Sequence, residues 1–209
     1  MNRWFDKIPV IGKHFSGKII LSFLILLMSI LLFIVAKSND RIICALGMVF
    51  AFIGDIFLNY PPHEKKDEYD ILWGGLAFIM AHLIYCASYT IKITRNGFSY
   101  FNLGVILAVI LLFSITIYFV YKTKNNSKKN RLYMAIAYLW LTGINYITIF
   151  SYSFSAQSIE SLALVGALLF LASDVIIGLE KLNNLKSKLA RELVWWLYPI
   201  GQMLIIIMA

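Results

Sequence analysis

The chain consists of seven long apolar runs separated by short polar segments. Each run has about 17–22 residues, the length that an α-helix needs to cross a hydrocarbon core of about 30 Å. The pattern therefore predicts an all-α fold, a polytopic transmembrane helical bundle with about seven spans. The predicted spans are residues 18–36, 41–59, 71–91, 102–121, 132–150, 159–179 and 192–209.

Residues 1–17 precede the first run, and basic and apolar residues are mixed in them. Trp4, for example, lies between Arg3 and Lys7, as is typical of a segment that rests on a membrane surface. We predict a basic amphipathic interfacial segment over 1–17, followed by a single transmembrane helical bundle over 18–209. We expect no cleavable signal peptide, because the first apolar run continues as a full span.

The basic residues are distributed unevenly between alternate loops. If the N-terminus is cytoplasmic, only four of the 19 Lys and Arg residues fall in outer segments, and all the others fall in inner ones. The four are Lys37, Arg41, Lys92 and Arg95. Cytoplasmic loops are enriched in Lys and Arg, so this asymmetry supports seven spans. We expect an integral, multi-pass protein of a bacterial cell membrane with a cytoplasmic N-terminus.

Composition excludes an ordinary soluble domain, because 60% of the residues are hydrophobic and only 14% are charged. The net charge of +8 does not indicate nucleic acid, since the basic residues lie in short loops where membrane lipids are the expected partners. Both cysteines, Cys44 and Cys86, lie in predicted spans, where we expect packing rather than a disulfide or a metal site. We expect no cofactor, and the oligomeric state stays open.

Two aspartates, Asp55 and Asp174, lie well inside predicted spans. A charged side chain at the centre of a bilayer costs roughly 2.5–3.5 kcal/mol on insertion scales, so such residues generally have a function or a partner. The predicted topology places both carboxylates about 5–8 Å inside the cytoplasmic boundary. We therefore expect the two groups to lie at a similar depth.

Two further polar residues, His82 and Gln202, lie in the middle of the third and seventh predicted spans. Tyr85 is one turn after His82, and Tyr198 is one turn before Gln202, so each tyrosine shares a helix face with its polar neighbour. We expect these four residues to bind or orient a substrate. A zinc site is not expected, because the other two histidines lie outside the spans.

Buried carboxylates allow several interpretations. They can act as general acid and base, with one protonated and the other ionised. They can equally form a structural pair, or a proton or cation site in a transporter. An intramembrane aspartyl protease is disfavoured, because Phe52 occupies the position of the first glycine in the Gly-x-Gly-Asp motif of that family.

Four segments together resemble the signature blocks of the YhhN-like lysoplasmalogenase family, in the same order and at similar separations. They are residues 54–58 (GDIFL), 75–85 (GLAFIMAHLIY), 166–174 (GALLFLASD) and 198–205 (YPIGQMLI). The resemblance implies a membrane hydrolase that cleaves the vinyl ether bond of lysoplasmalogens, releasing a fatty aldehyde and a glycerophospho-base. It also implies that the substrate is a lysophospholipid and that Asp55 and Asp174 are catalytic, with His82, Tyr85, Tyr198 and Gln202 around them. The family usually has eight spans, so one helix, the first, is missing from our prediction.

Two alternatives stay open beside the lysoplasmalogenase. One is a proton- or cation-linked transporter that uses the two aspartates, although transporters commonly contain internal repeats and we find none here. The other is a related enzyme that cleaves a different lipid bond.

Overall fold

The computed structural model describes residues 17–59, 68–122, 129–156, 159–183 and 188–209. Seven α-helices and one 3-10 turn, Ile159–Ser161, account for most of these residues, and no strand occurs among them. The helices are α1 (Gly17–Ala36), α2 (Asn39–Asn59), α3 (Glu68–Arg95), α4 (Leu103–Lys122), α5 (Lys129–Ala156), α6 (Leu162–Asn183) and α7 (Lys188–Met208). The predicted all-α helical bundle is confirmed. The predicted interfacial segment lies outside the described residues, except for Gly17, which begins α1.

Six of these helices, α1 to α6, are long and apolar enough to cross a membrane. The chain is therefore a multi-pass membrane protein. The seventh predicted span falls within α7, whose first turns carry Lys188 and Glu192. This helix packs along α6 and, less extensively, along α1.

Two helices are longer than their predicted spans. α3 and α5 each contain 28 residues, whereas the apolar runs predicted spans of 71–91 and 132–150. An apolar run marks only the part of a helix that suits hydrocarbon, and helical hydrogen bonding continues beyond it. The last turn of α3 carries Lys92 and Arg95, whose positive charges interact favourably with the negative end of the helix dipole.

Six helices form a closed ring in which each packs against the next, in the order α1, α2, α3, α5, α6, α7 and back to α1. α4 packs outside this ring, against α5. The interior of the ring is lined largely by aromatic side chains that are almost fully buried. They include Tyr85 and Tyr89 of α3, Tyr146 of α5 and Phe170 of α6.

Glycine allows a close approach where α6 crosses α7. A Cβ added at Gly201 would lie 2.7 Å from the backbone nitrogen of Phe170, and one added at Gly166 would lie 2.9 Å from the carbonyl oxygen of Gly201. Contacts this short leave no space for a side chain, and small residues have the same role in many membrane helix pairs. The crossing brings the backbone of α7 close to Phe170.

Polar side chains hold the C-terminal end of α7 at one end of the bundle. Arg41 donates hydrogen bonds to the carbonyls of Ile206 and Ile207 at 2.6 and 2.8 Å. The Lys92 ammonium donates to the carbonyl of Met208 at 2.6 Å, and the Tyr89 hydroxyl donates to that of Ile205 at 2.7 Å. The carbonyl of Ile205 also accepts a hydrogen bond of 3.0 Å from the N–H of Ala209, whereas those of Ile206, Ile207 and Met208 lie beyond the last intrahelical bond. The side-chain contacts satisfy these last carbonyls and fix α7 against α2 and α3.

The four basic residues predicted for the outer side are found at this same end. Arg95, at the end of α3, forms an ion pair with Asp40 of α2 at 2.9 Å, next to Arg41. Lys37 lies in the short connection between α1 and α2. Asp55 is near the opposite end of α2, so these four basic residues and Asp55 lie toward different ends of the bundle.

Candidate active site between the helices

Asp55 lies one turn before the end of α2 and is 4% exposed. The hydroxyl of Tyr198, on α7, donates a hydrogen bond of 2.6 Å to its Oδ2 atom. The ring of Tyr198 packs edge-on against Phe78 of α3, with 5.9 Å between centroids. A buried carboxyl group among apolar helices requires such a partner, because a buried polar group without a hydrogen bond is costly. Three helices thus position the Asp55 carboxylate.

Asp174 lies on α6 and is partly buried. Its Oδ2 atom accepts a hydrogen bond of 2.9 Å from the hydroxyl of Tyr146, on α5. The Tyr138 hydroxyl, two turns earlier on α5, is also within hydrogen-bonding reach of Asp174. Tyr138 lies within electrostatic range of Asp55 as well, so the two aspartates flank a common region of the bundle.

His82 lies on α3, is 1% exposed and is surrounded by rings. Its imidazole packs edge-on against Phe170, Tyr146 and Tyr85, with centroids at 4.8, 5.2 and 6.3 Å. Nδ1 of His82 is 3.0 Å from the side-chain amide nitrogen of Asn145, on α5. If that amide donates, the imidazole proton is on Nε2, which has no partner among the described residues.

Phe170 completes a continuous path of contacts between the two aspartates, since its ring lies 5.2 Å from that of Tyr198. The path leads through a hydrogen bond, three ring contacts and a second hydrogen bond. In order, its members are Asp55, Tyr198, Phe170, His82, Tyr146 and Asp174. No hydrogen bond within the described part of the chain joins the two carboxylates directly; each is held by its own tyrosine.

Gln202 and Tyr85 form a second polar group beside His82. The Gln202 amide donates hydrogen bonds to the Tyr85 hydroxyl at 3.0 Å and to the sulfur of Met48 at 2.9 Å. All three side chains are fully buried, and the Oε1 atom of Gln202 lacks a partner among the described residues. The group is one turn further along α7 from Tyr198, toward the end that Arg41 holds.

The structure therefore brings all six predicted site residues into one connected cluster, directly or through Phe170 and Tyr146. Sequence reasoning missed three participants on α5, namely Tyr138, Asn145 and Tyr146. The available signal was Asn145, an asparagine within an apolar span, because amides in membrane helices usually bond across helices. Within the described ranges, no three His, Cys, Asp or Glu side chains come together as metal ligands would.

This arrangement suits proton transfer. A carboxyl group that is held in place by tyrosine hydroxyls among apolar helices can give a proton to a bound molecule or take one from it. Two such groups on opposite sides of an aromatic core can act on one substrate in succession.

No curated protein and no solved structure matches the chain in the comparisons with known proteins, but one family model does. The family model described as the YhhN family matches residues 17–208, which is nearly the whole chain, and the protein therefore belongs to the YhhN family.

Proposed function

We propose that this protein is a membrane hydrolase that cleaves the vinyl ether bond of lysoplasmalogen-type lysophospholipids. The observation that carries the proposal is the pair of intramembrane aspartates, each bonded to a tyrosine from another helix and linked through His82. Membership of the YhhN family is consistent with this activity.

The reaction requires an acid and a base but no redox step. A protonated carboxyl group transfers its proton to the second carbon of the alkenyl chain, which leaves an oxocarbenium ion at the first carbon. Water adds to that carbon, and its proton passes to a carboxylate. In the collapse of the hemiacetal, the carboxylate that gave the first proton takes the hydroxyl proton, and the carboxyl group that received a proton from water gives it to the leaving glycerol oxygen. The products are a fatty aldehyde and a free hydroxyl on the glycerophospho-base. One water is consumed, and the acid is regenerated.

In this proposal Asp55 and Asp174 supply the acid and the base. The second carboxylate also stabilises the positive charge of the oxocarbenium ion, because a charge acts strongly in a site from which water is excluded. Tyr198 and Tyr146 hold the carboxylates in place. We assign His82, Tyr85 and Gln202 to substrate contact, since the unpartnered Nε2 and Oε1 atoms offer hydrogen bonds to a bound polar group.

The alternative, a proton- or cation-linked transporter, requires a polar path to both sides of the membrane. The end of the bundle beyond Gln202 is occupied by bonded groups, including the Arg95–Asp40 ion pair and the contacts of Arg41 with α7. This packing favours the enzyme. An enzyme that acts on another lipid bond could use the same aspartates, so only substrate tests distinguish it from the proposed vinyl-ether hydrolase.

We also propose a bacterial cell membrane as the location, with the N-terminus in the cytoplasm. The orientation is supported by the small number of cations, including Arg41 and Arg95, at the end of the bundle away from Asp55. Short loops on the outer side generally carry few Lys and Arg residues.

The test is aldehyde release by the purified, detergent-solubilised protein. We expect release from a vinyl-ether lysolipid, and none from a saturated alkyl-ether lysolipid that differs only in the double bond. No release across several headgroups by folded protein would contradict the proposal. Cleavage of an acyl-ester lysolipid instead would indicate the related lipid hydrolase, and proton uptake into protein-containing liposomes would indicate the transporter.

A further inference from the structure

A small, partly enclosed pocket lies between α1 and α7, beside the hydroxyl that bonds Asp55. Its interior has room for about one water molecule. Lys18, Leu21 and Ser22 line it from α1, and Trp195, Tyr198 and Pro199 line it from α7. We call this feature the seam pocket.

The polar groups of the seam pocket follow one another along α1 toward Asp55. Lys18 and Ser22 are four residues apart, so they share a helix face and differ in depth by roughly 6 Å. Lys18 lies within electrostatic range of Asp55. Ser22 is 1% exposed, and its hydroxyl lies within reach of both the Asp55 carboxyl group and the Tyr198 hydroxyl without a hydrogen bond of ordinary geometry to any described residue. Ser22 therefore joins the pocket to the Tyr198–Asp55 pair, at a position where its hydroxyl can also bond to a bound polar group.

The seam itself is the least extensive contact in the ring of helices, since α1 and α7 pack together less than any other neighbouring pair. Pro199 weakens α7 at the same place. It has no N–H group, so the carbonyl of Trp195 lacks its usual partner within the helix. A molecule can therefore separate α1 from α7 here at lower cost than elsewhere in the ring.

We propose that the seam pocket is the binding site for the phosphate and glycerol of a single-chain lipid. Lys18 binds the phosphate, the Ser22 hydroxyl bonds to the glycerol, and the vinyl ether reaches the Tyr198–Asp55 pair. In such a lipid the glycerol carbons lie between the phosphate and the ether. In the protein, Ser22 lies between Lys18 and Asp55. The two orders therefore match. An ammonium group binds phosphate as a point charge. The assignment rests on the proposed function and adds the specificity-determining residue Lys18.

The first test compares two vinyl-ether substrates, one with a phosphate headgroup and one alkenyl glycerol without it. Loss of a charge-assisted contact predicts that Lys18→Gln raises KM for the phosphorylated substrate about tenfold. Because Lys18 also lies within electrostatic range of Asp55, any change in kcat should be the same for both substrates. KM for the alkenyl glycerol should not change, and Lys18→Arg should restore most of the affinity. Lys37→Gln, at the opposite end of α1, is the matched control. An equal effect of Lys18→Gln on KM for both substrates, or no effect on either KM, would overturn the assignment.

The second test does not depend on activity. A non-hydrolysable alkyl-ether lysophospholipid with a photoreactive group near the glycerol should label α1 and α7 around Leu21 and Pro199. Leu21→Trp, which fills the pocket, should abolish the labelling, whereas Leu27→Trp on the exposed face of α1 should not. Labelling elsewhere, or competition by excess diacyl phospholipid as strong as by lysolipid, would refute a single-chain lipid site. If labelling occurs as expected but no aldehyde forms, the pocket stands and the proposed reaction fails.

Discussion

Replacing Tyr198 with Phe removes one hydroxyl and leaves the ring. The lost interaction is the 2.6 Å hydrogen bond to Oδ2 of Asp55. The ring contacts with Phe78 and Phe170 are retained. A hydrogen bond to a charged group contributes about 1.5–3 kcal/mol, and each 1.4 kcal/mol corresponds to about a tenfold change. If the bond holds the carboxyl group in its reactive position, kcat/KM should fall about 10- to 100-fold.

The matched control is Tyr89→Phe. Tyr89 is also fully buried on the ring interior and also bonds across helices, but its hydroxyl donates to the Ile205 carbonyl, away from either aspartate. Both variants should lose similar thermal stability in detergent, since each loses one buried hydrogen bond. Only Tyr198→Phe should lose activity per folded molecule. Equal activity in the two variants would refute the reasoning that Tyr198 positions Asp55.

Three other predictions concern the partner aspartate, the helix crossing and the far end of the bundle. Tyr146→Phe should lower kcat/KM about tenfold, because Asp174 loses its 2.9 Å hydrogen bond and keeps only the Tyr138 hydroxyl within reach; an unchanged rate in a steady-state aldehyde assay would contradict this. Gly201→Ala should destabilise the protein by about 1–3 kcal/mol through overpacking against α6. Gly75→Ala should not, because a Cβ there meets no atom within 4 Å. Thermal unfolding of the two variants measures the difference. Arg41→Gln should lower the unfolding temperature by releasing the end of α7 without raising KM, and a rise in KM would show that this end contacts substrate.

The helices were largely predictable from the apolar runs, because hydrocarbon thickness sets the length of a span. The ends of α3 and α5 were less predictable. Lys92 and Arg95 continue the α3 helix and bond to the Met208 carbonyl and to Asp40, and no local sequence pattern indicates these contacts. Positions within the spans predicted that Tyr85 would lie near His82, and the two rings do pack together.

The partners of the aspartates could not be predicted in the same way. The bond between Tyr198 and Asp55 joins α7 to α2, and it depends on the order and rotation of helices in the ring. The chain contains 12 tyrosines, and only packing selects Tyr146 and Tyr138 as the two that lie against Asp174. A face on one helix can be read from spacing, but the residue opposite it on another helix cannot.

The central claim is that Asp55 and Asp174 carry out the chemistry, and the most direct measurement is aldehyde release by three Asp→Asn variants. Asp40→Asn is the control, because Asp40 is as buried as Asp55 but bonds Arg95 at the far end of the bundle. Loss of aldehyde release in Asp55→Asn and Asp174→Asn, with folded protein and an active Asp40→Asn, is the predicted result. Retained activity in either of the first two variants would contradict the account.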